Sequence, residues 1–316
     1  MTRYYSVEIS GGPTFTSHPN GQFDANSLNV EMDITTTGQA IPGDGCYLKI
    51  WGVGLQVLKN ANQLWKKSIT VRGGMQKGLP LANPAQAGVL INGGLISRPF
   101  GTWNMTDQAL EMIITSGGTP NAQPGPNAKP SNAHIALTWA KGKPLGPALK
   151  QALASAFPDF KIVMNLAQNI VAPQDQHGFH ANLQQLAYFA ARMSQQIVGG
   201  SYQGVSIVAK GSTINVFDGP QQGAGQVSFT DLVGQPMWVG PKEIQFKTVM
   251  RADLDIGSKI TLPKTWINSS PEGAGSAGSD QQGIQGTFQI VGMRHIGCSR
   301  APSGDAWVSI FNCTQN

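Results

Sequence analysis

The chain is 316 residues long, which leaves room for two or three domains of roughly 100–150 residues each. Charged side chains make up only 12% of it, while Gly, Asn, Gln, Ser and Thr are abundant, a balance typical of β-rich assembly proteins and not of helical enzymes. The net charge is +5, but only Lys66 and Lys67 are adjacent. The scattered cations therefore predict a mildly basic solvated surface and argue against a nucleic-acid site.

The three cysteines, Cys46, Cys298 and Cys313, are odd in number and show no C-x-x-C spacing. This argues against a disulfide framework and a zinc site, and it fits a reducing cytoplasm. The N-terminus enters strand sequence at Tyr5 without an apolar stretch, so we expect no secretory signal. No apolar run approaches the ~20 residues that span a bilayer. We expect a soluble protein without stable membrane insertion.

Strand patterns fill the first 116 residues. Apolar and polar residues alternate in Tyr5–Ile9 and in Leu28–Ile34, and a polar loop that holds His18 separates the two segments. Further strands are predicted at Tyr47–Val53, Ser68–Arg72, Gly88–Ser97 and Gln108–Thr115. About six strands without a helical pattern favour a small antiparallel barrel or sandwich, in which closure removes exposed sheet edges.

Residues 117–132 are rich in proline and lack large apolar side chains, so they predict a linker. An α/β region is predicted after it. Its elements are a strand at His134–Ala140, a helix carrying Leu149, Leu153 and Phe157 that stops at Pro158, a strand at Phe160–Leu166, a helix at Asn182–Val198, and a hairpin formed by Tyr202–Lys210 and Thr213–Phe217.

Strands return after Gln226. Ile244, Phe246, Thr248 and Met250 alternate with Gln245, Lys247 and Arg251, which predicts a half-buried strand with the second set on its exposed face. Turn residues at 252–257 and alternation at 258–262 predict that a second strand returns as a β-hairpin. The Gly/Ser/Gln-rich tract at 269–286 predicts a mobile surface loop that orders against a partner.

Few motifs in the sequence indicate a catalytic, cofactor or metal site. Gly52-Val53-Gly54 follows a strand, but position 57 holds Val where a dinucleotide-binding turn needs its third glycine. His177 and His180, near Asp175, form an H-x-x-H pair that could ligate a metal, yet no H-E-x-x-H helix supports it. Two surface histidines that precede the Asn182 helix are the better interpretation. We predict no catalytic, cofactor or metal site.

Two further residue sets have structural explanations. Asp253 and Asp255 lie in the predicted turn, where backbone capping accounts for them without an acid–base pair. Trp51, Trp238 and Trp307 could form a stacking platform for sugars or bases, but their strand and turn positions favour core packing. We therefore expect Trp238→Ala or Trp307→Ala to prevent soluble folding or assembly.

Three stretches resemble the baseplate hub proteins of contractile-tailed bacteriophages. Gly234–Trp238 followed by 244–262 is similar to that family's "G-x-P-x-W" turn, which leads into "I-x-F" and "L-x-x-G-x-x-I-x-L". Leu48–Val53 with Ser68–Met75 is similar to its first barrel, where "I-x-G-L" and "I-T-V-x-A-G-Y" recur. Residues 286–295 and 305–310 look like its closing strands. The matches occur in the family's order and span most of the chain.

The resemblance implies two antiparallel β-barrel domains of the tail-tube type, at 1–116 and 226–316, which flank an α/β middle domain at 133–225. It also implies a structural virion protein and not an enzyme. Three chains on the tail axis would supply six barrels, match a hexameric tail tube, and line the DNA ejection channel. Partners would be the tail tube protein, other baseplate proteins and a spike, and the particle would assemble in the host cytoplasm.

Because the chain ends at Asn316, directly after its last strand, we expect the spike to be a separate polypeptide. Two other classes stay open at this point. One is a tail-associated peptidoglycan hydrolase, which zymography on cell-wall substrate detects. The other is a carbohydrate- or nucleic-acid-binding β module, for which salt-dependent DNA retention is the test.

Overall fold

A computed structural model describes residues 3–37, 46–76, 83–115, 135–158, 160–166, 169–200, 202–210, 213–219, 221–263, 284 and 286–315. The predicted linker at 117–132 lies outside these described residues. So does the Gly/Ser/Gln-rich tract at 269–286, apart from its residues 284 and 286.

Every strand predicted in the first region is present. The elements are β1 (Arg3–Ile9), β2 (Thr14–Thr16), β3 (Asn29–Thr37), β4 (Cys46–Trp51), a short helix α1 (Leu55–Lys59), β5 (Ser68–Met75), β6 (Gly88–Asn104) and β7 (Asp107–Thr115). Alternate residues are buried, as in β4, where Cys46, Leu48 and Ile50 face the core. β6 extends seven residues beyond its predicted end at Ser97 and forms a long hairpin with β7.

The middle region has the predicted α/β elements in the predicted order, together with one strand that was not predicted, β10. It consists of β8 (Ile135–Trp139), α2 (Leu145–Ala156), β9 (Lys161–Asn165), β10 (Gln176–His180), α3 (Leu183–Val198), β11 (Val205–Lys210) and β12 (Thr213–Asp218). The Asn182 side chain caps α3 by accepting the Gln185 N–H at 2.9 Å, and Gly199 ends it with φ of 71°. β11 and β12 form the predicted hairpin, and β9 adds to β12 in parallel.

In the part of the last region that the structure describes there are six strands: β13 (Gln221–Gln226), β14 (Met237–Gly240), β15 (Glu243–Val249), β16 (Ser258–Leu262), β17 (Gly286–Cys298) and β18 (Trp307–Thr314). β13 pairs with β16 in parallel, across the predicted domain boundary at residue 226. The mainly β fold class with an α/β middle part is confirmed.

The predicted hairpin of β15 and β16 is wrong, although both strands exist. β15 pairs with β14 and β18, whereas β16 pairs with β13 and β17. The connection between them is no exposed turn, because Met250, Leu254 and Ile256 are buried. This connection carries the chain from β15, which lies between β14 and β18, to β16, which lies between β13 and β17. Turn residues specify that the chain bends, but they do not specify the partner of the next strand.

β17 joins the two ends of the chain in one sheet. One side of it pairs with β18, while on the other side its first half pairs with β16 and its second half with β3. The main path through the sheet runs β14-β15-β18-β17-β3-β4-β7-β6-β5-β1-β2. Among the described residues, neither end region closes on itself into a barrel.

The described residues form three apolar cores, one of which joins Val208 and Phe217 of the β11–β12 hairpin to strands of the last region. The middle region supplies all of its own core, from Ile135 to Val216. The core under β1–β7 also takes in Met250 and Trp307, and the Trp307 Nε1–H donates to the Gly74 carbonyl at 2.8 Å. The first and last regions therefore share packing as well as a sheet. Within the described ranges, no helix has the length and apolar character of a membrane span.

Candidate functional site

A buried polar cluster centred on Arg251 lies where the first and last regions meet. Arg251 is only 2% exposed, and its guanidinium donates to Asp253 at 2.7 and 2.6 Å and to Asp231 at 3.1 Å. A buried charge needs such partners, because its desolvation alone costs several kcal/mol. The prediction that Arg251 lies on an exposed strand face is wrong, because β15 ends at Val249 and its alternation ends there too.

The same cluster ties the first region to the last. Asp231 caps its own turn by accepting the Ser228 N–H at 3.0 Å, and it also accepts from Gln86 Nε2 at 3.4 Å. The Gln86 carbonyl in turn accepts the Ala252 N–H at 2.8 Å. Asp253 is thus an ion-pair partner of Arg251 and more than the turn-capping residue that the sequence predicted.

Ser309 and His295 extend the cluster across β17 and β18. Ser309 Oγ lies 2.8 Å from His295 Nδ1, accepts the Arg251 N–H at 3.1 Å and donates to the Arg251 carbonyl at 3.1 Å. Contacts between Ser and His can activate a nucleophile, but this hydroxyl is fully buried and is committed to the backbone of Arg251. The contact therefore positions strands and does not present a reactive oxygen.

A cleft of about 230 Å³ opens beside this cluster, where the middle region meets the shared sheet. Its walls come from β6, the β11–β12 hairpin, the connection at 252–258, and β17. Ten of the sixteen lining residues are apolar, and the ionisable ones are Asp255 and His295. The cleft marks the line along which the three parts of the chain contact one another.

β14 presents an open sheet edge at the end of the strand path. Its outer side has no strand partner among the described residues, and Met237 and Val239 are 53% and 52% exposed. Trp238 is 37% exposed and contacts the Phe288 ring edge-on at 6.2 Å, so the prediction of a fully buried anchor is wrong for this residue. An exposed apolar edge strand is a template for pairing with another chain.

Trp51 also departs from the predicted core position. It lies on the outer face of β4, where its Nε1–H donates to Glu31 at 2.9 Å and Lys49 Nζ stands 3.9 Å from its ring. On the same face Tyr47 donates to Glu111 at 3.0 Å. Burial, together with that hydrogen bond, raises the pKa of Tyr47 to about 12. Of the three tryptophans, only Trp307 is the predicted core residue.

The two histidines of the H-x-x-H pair lie three residues apart in β10, so their side chains point to opposite faces of the strand. His177 is exposed, whereas His180 packs against the Phe189 ring at 5.1 Å. Burial lowers the pKa of His180. Asp175 accepts the Lys141 N–H at 2.7 Å. The structure does not bring these three residues together as a ligand set.

Sequence reasoning missed the Arg251 cluster and the open edge at β14. A local signal for the first exists, because Ser228 and Asp231 form a capping box that places one carboxylate of the cluster. The other contacts join residues that are far apart in the chain. The edge position of β14 depends on the order of strands in the sheet, for which no local pattern exists.

Comparison with known proteins gives no match to a sequence family and none to a curated protein. The fold, in contrast, matches solved structures over the whole chain. A tail protein from Neisseria meningitidis MC58 has a TM-score of 0.50 at 9% identity, with 100% of this chain and 97% of that chain covered. A 43 kDa tail protein of prophage MuSo2 from Shewanella oneidensis has a TM-score of 0.53 at 8% identity, with 100% and 98% covered.

A chain of the Francisella PdpA–VgrG complex also has this fold. Its TM-score is 0.50 at 9% identity, and the match covers 100% of this chain and 58% of that chain. Together these similarities show that this chain shares its fold with these tail proteins and with a chain of the PdpA–VgrG complex. The resemblance to phage tail and baseplate proteins is thereby confirmed at the level of the fold.

Proposed function

We propose that this chain is a structural protein of a phage tail and that it forms the hub of the baseplate. The observation that carries the proposal is the fold likeness to two tail proteins, which covers 100% of this chain and 97% and 98% of theirs. In this role the chain joins the tail tube to a central spike and lines the path of the ejected DNA. It acts through its surfaces and not through a catalytic step.

The proposed assembly is a homotrimer on the tail axis. Each chain carries one strand-rich region before residue 116 and another after residue 226, and three chains bring six such regions to a sixfold tube. Closure of each region into a tube-like barrel is part of this proposal. The open edge at β14 supports the homotrimer, because a closed ring of chains covers an apolar strand edge that is exposed to water in a monomer.

The proposed partners are the tail tube protein, other baseplate proteins and a central spike. That a chain of the PdpA–VgrG complex has this fold supports a role for the present chain in a multi-protein assembly. Assembly in the host cytoplasm fits the odd number of cysteines and their lack of C-x-x-C spacing.

Two measurements test the proposal. Native mass spectrometry of the purified chain, alone and with its tube and spike partners, should show three copies, and immunogold labelling should place the chain at the tail tip of intact particles. A monomer that never trimerises with those partners, or a ring of six copies, contradicts the homotrimer. Absence of label from the particle contradicts the structural role itself.

A further inference from the structure

A shallow notch opens on the first region, away from β14. It lies between the turn that precedes β5 and the outer part of β6, and its volume is about 340 Å³. It is lined by Asn62, Trp65, Ser97, Arg98, Pro99 and Phe100. Trp65 is 57% exposed and Phe100 is 49% exposed, so two large aromatic side chains stand in water on its walls.

The turn that carries Trp65 is held in a strained backbone conformation. Lys66 has a φ of 60°, a left-handed conformation that is uncommon for residues other than glycine. Its N–H donates to the Ile96 carbonyl at 2.8 Å, and the Ile96 N–H donates to the Lys67 carbonyl at 3.1 Å. Lys66 Nζ lies 4.3 Å from the Trp65 ring. These contacts fix Trp65 beside β6 and preorganise the notch.

Cations outnumber carboxylates in the sequence near the notch, and Glu111, which lies opposite Phe100 in the β6–β7 pair, is bound by Lys49. Residues 45–106 contain no Asp or Glu, but they contain seven cations: Lys49, Lys59, Lys66, Lys67, Arg72, Lys77 and Arg98. Lys49 pairs with Glu111 and Arg72 with Glu8. Among the described residues, Lys59, Lys66 and Arg98 have no carboxylate partner.

Lys59 stands close to the notch because α1 packs tightly on β6. A Cβ on Gly101 would lie 2.7 Å from the Leu58 carbonyl oxygen, which places the end of α1 directly over the outer part of β6. The notch is therefore an aromatic surface with Arg98 in its wall, Lys66 over the Trp65 ring and Lys59 at the end of the neighbouring helix. Aromatic residues and Arg are the side chains most enriched where protein interfaces bind most strongly.

We propose that this notch binds a protein partner that inserts one apolar side chain between Trp65 and Phe100 and sets carboxylates against Arg98 and the flanking lysines. The concave shape favours a protein over a membrane, because a flat lipid surface cannot enter a notch. Three free cations are also too few to follow a nucleic-acid backbone along its length. The proposal does not depend on the hub function, since it rests on the notch alone.

A photo-crosslinking experiment on the full chain tests this proposal. The probe is the peptide Ac-Glu-Glu-Bpa-Glu-Glu-NH2, in which the photoreactive benzoylphenylalanine takes the place of the inserted side chain. The matched peptide carries Lys in place of Glu. We expect crosslinks to map to 62–65 and 97–100, and the yield should fall at least about fivefold in Trp65→Ser and in Arg98→Glu. The yield should also fall as salt rises.

Trp238→Ala is the control variant, because it removes an exposed tryptophan from a different surface. Its crosslinking should equal that of the unchanged chain, and thermal unfolding should show that all three variants are folded. Three results overturn the proposal. The Lys peptide crosslinks as well as the Glu peptide, the crosslinks are scattered over the surface, or the yield is unchanged in Trp65→Ser and Arg98→Glu. Stronger Trp65-dependent binding to anionic vesicles or to DNA than to the Glu peptide also overturns it, since the partner would then not be an acidic protein.

Discussion

Arg251 ties together three segments of the last region through the buried carboxylate of Asp231, the more exposed carboxylate of Asp253 and the side chain of Ser309. Arg251→Leu should destabilise the protein by about 3–5 kcal/mol, because it leaves Asp231 buried without its cation. Arg294→Leu is the matched control. Its pair with Asp33 is solvent-exposed, so it should cost at most ~1 kcal/mol. Urea denaturation of both variants measures the difference, and equal costs contradict a central role for Arg251.

Trp307 and Trp238 differ in burial, so their substitutions should have different effects on stability. Trp307 is 2% exposed and its indole N–H is bonded to Gly74, whereas Trp238 is 37% exposed at an edge. Trp307→Ala should therefore cost about 3–5 kcal/mol or prevent soluble folding. Trp238→Ala should leave the monomer folded and weaken assembly instead. Soluble yield and thermal unfolding, followed by native mass spectrometry, distinguish the two effects. A folded Trp307→Ala protein of unchanged stability would show that this core position is wrongly assigned.

His180 should make stability depend on pH. Burial lowers its pKa in the folded protein below the ordinary 6.5, so the unfolded chain binds more protons as pH falls below that value. The stability that neutral His180 provides is present above pH 6.5 and is lost as the pH falls through its lowered folded pKa. His180→Gln should reduce the loss of thermal stability between pH 7 and pH 5. His177→Gln, on the exposed face of the same strand, should not. Identical profiles for the two variants exclude this role.

At the scale of elements, the β6–β7 hairpin has a strained turn. Met105 has a φ of 54° and is 90% exposed, and the Trp103 Nε1–H donates to its carbonyl at 2.8 Å. Glycine is the usual residue at a turn position with positive φ. Met105→Gly should therefore stabilise the protein by about 0.5–1 kcal/mol, even though it adds freedom to the unfolded chain. Thermal unfolding is the measurement, with Asn104→Gly as the control, since Asn104 is in the strand and should gain nothing.

The ends of the helices and strands show which local sequence signals were sufficient to predict a boundary. α3 begins after Asn182 and ends before Gly199, as the capping residues predict, and α2 ends at Ala156, two residues before Pro158. β6 is different, because it continues to Asn104 through Pro99 and Gly101. Proline and glycine usually interrupt a strand, but here the pairing with β7 holds the strand extended.

At the scale of the whole molecule, the three regions differ in how far each can fold alone. The core of the middle region contains only residues between 135 and 216, so a fragment of residues 133–219 should fold. A fragment of residues 1–116 loses Trp307 and Met250 from its core and leaves the β17 side of β3 unpaired. We expect it to aggregate or to lack cooperative unfolding. Circular dichroism and NMR spectra of the two fragments provide the test, and a stably folded 1–116 fragment would show that the two ends are independent.

The sequence by itself determined the elements, the mainly β class and the α/β middle region, because side-chain period, caps and breakers act within a few residues of one another. It also indicated the phage tail likeness through short motifs in a fixed order. Only the tertiary structure decided that β15 and β16 do not pair, that β17 joins both ends of the chain, and that Arg251 is buried. Each of these depends on contacts between residues far apart in the chain, and a strand's local pattern specifies which face is apolar but not which strand lies beside it.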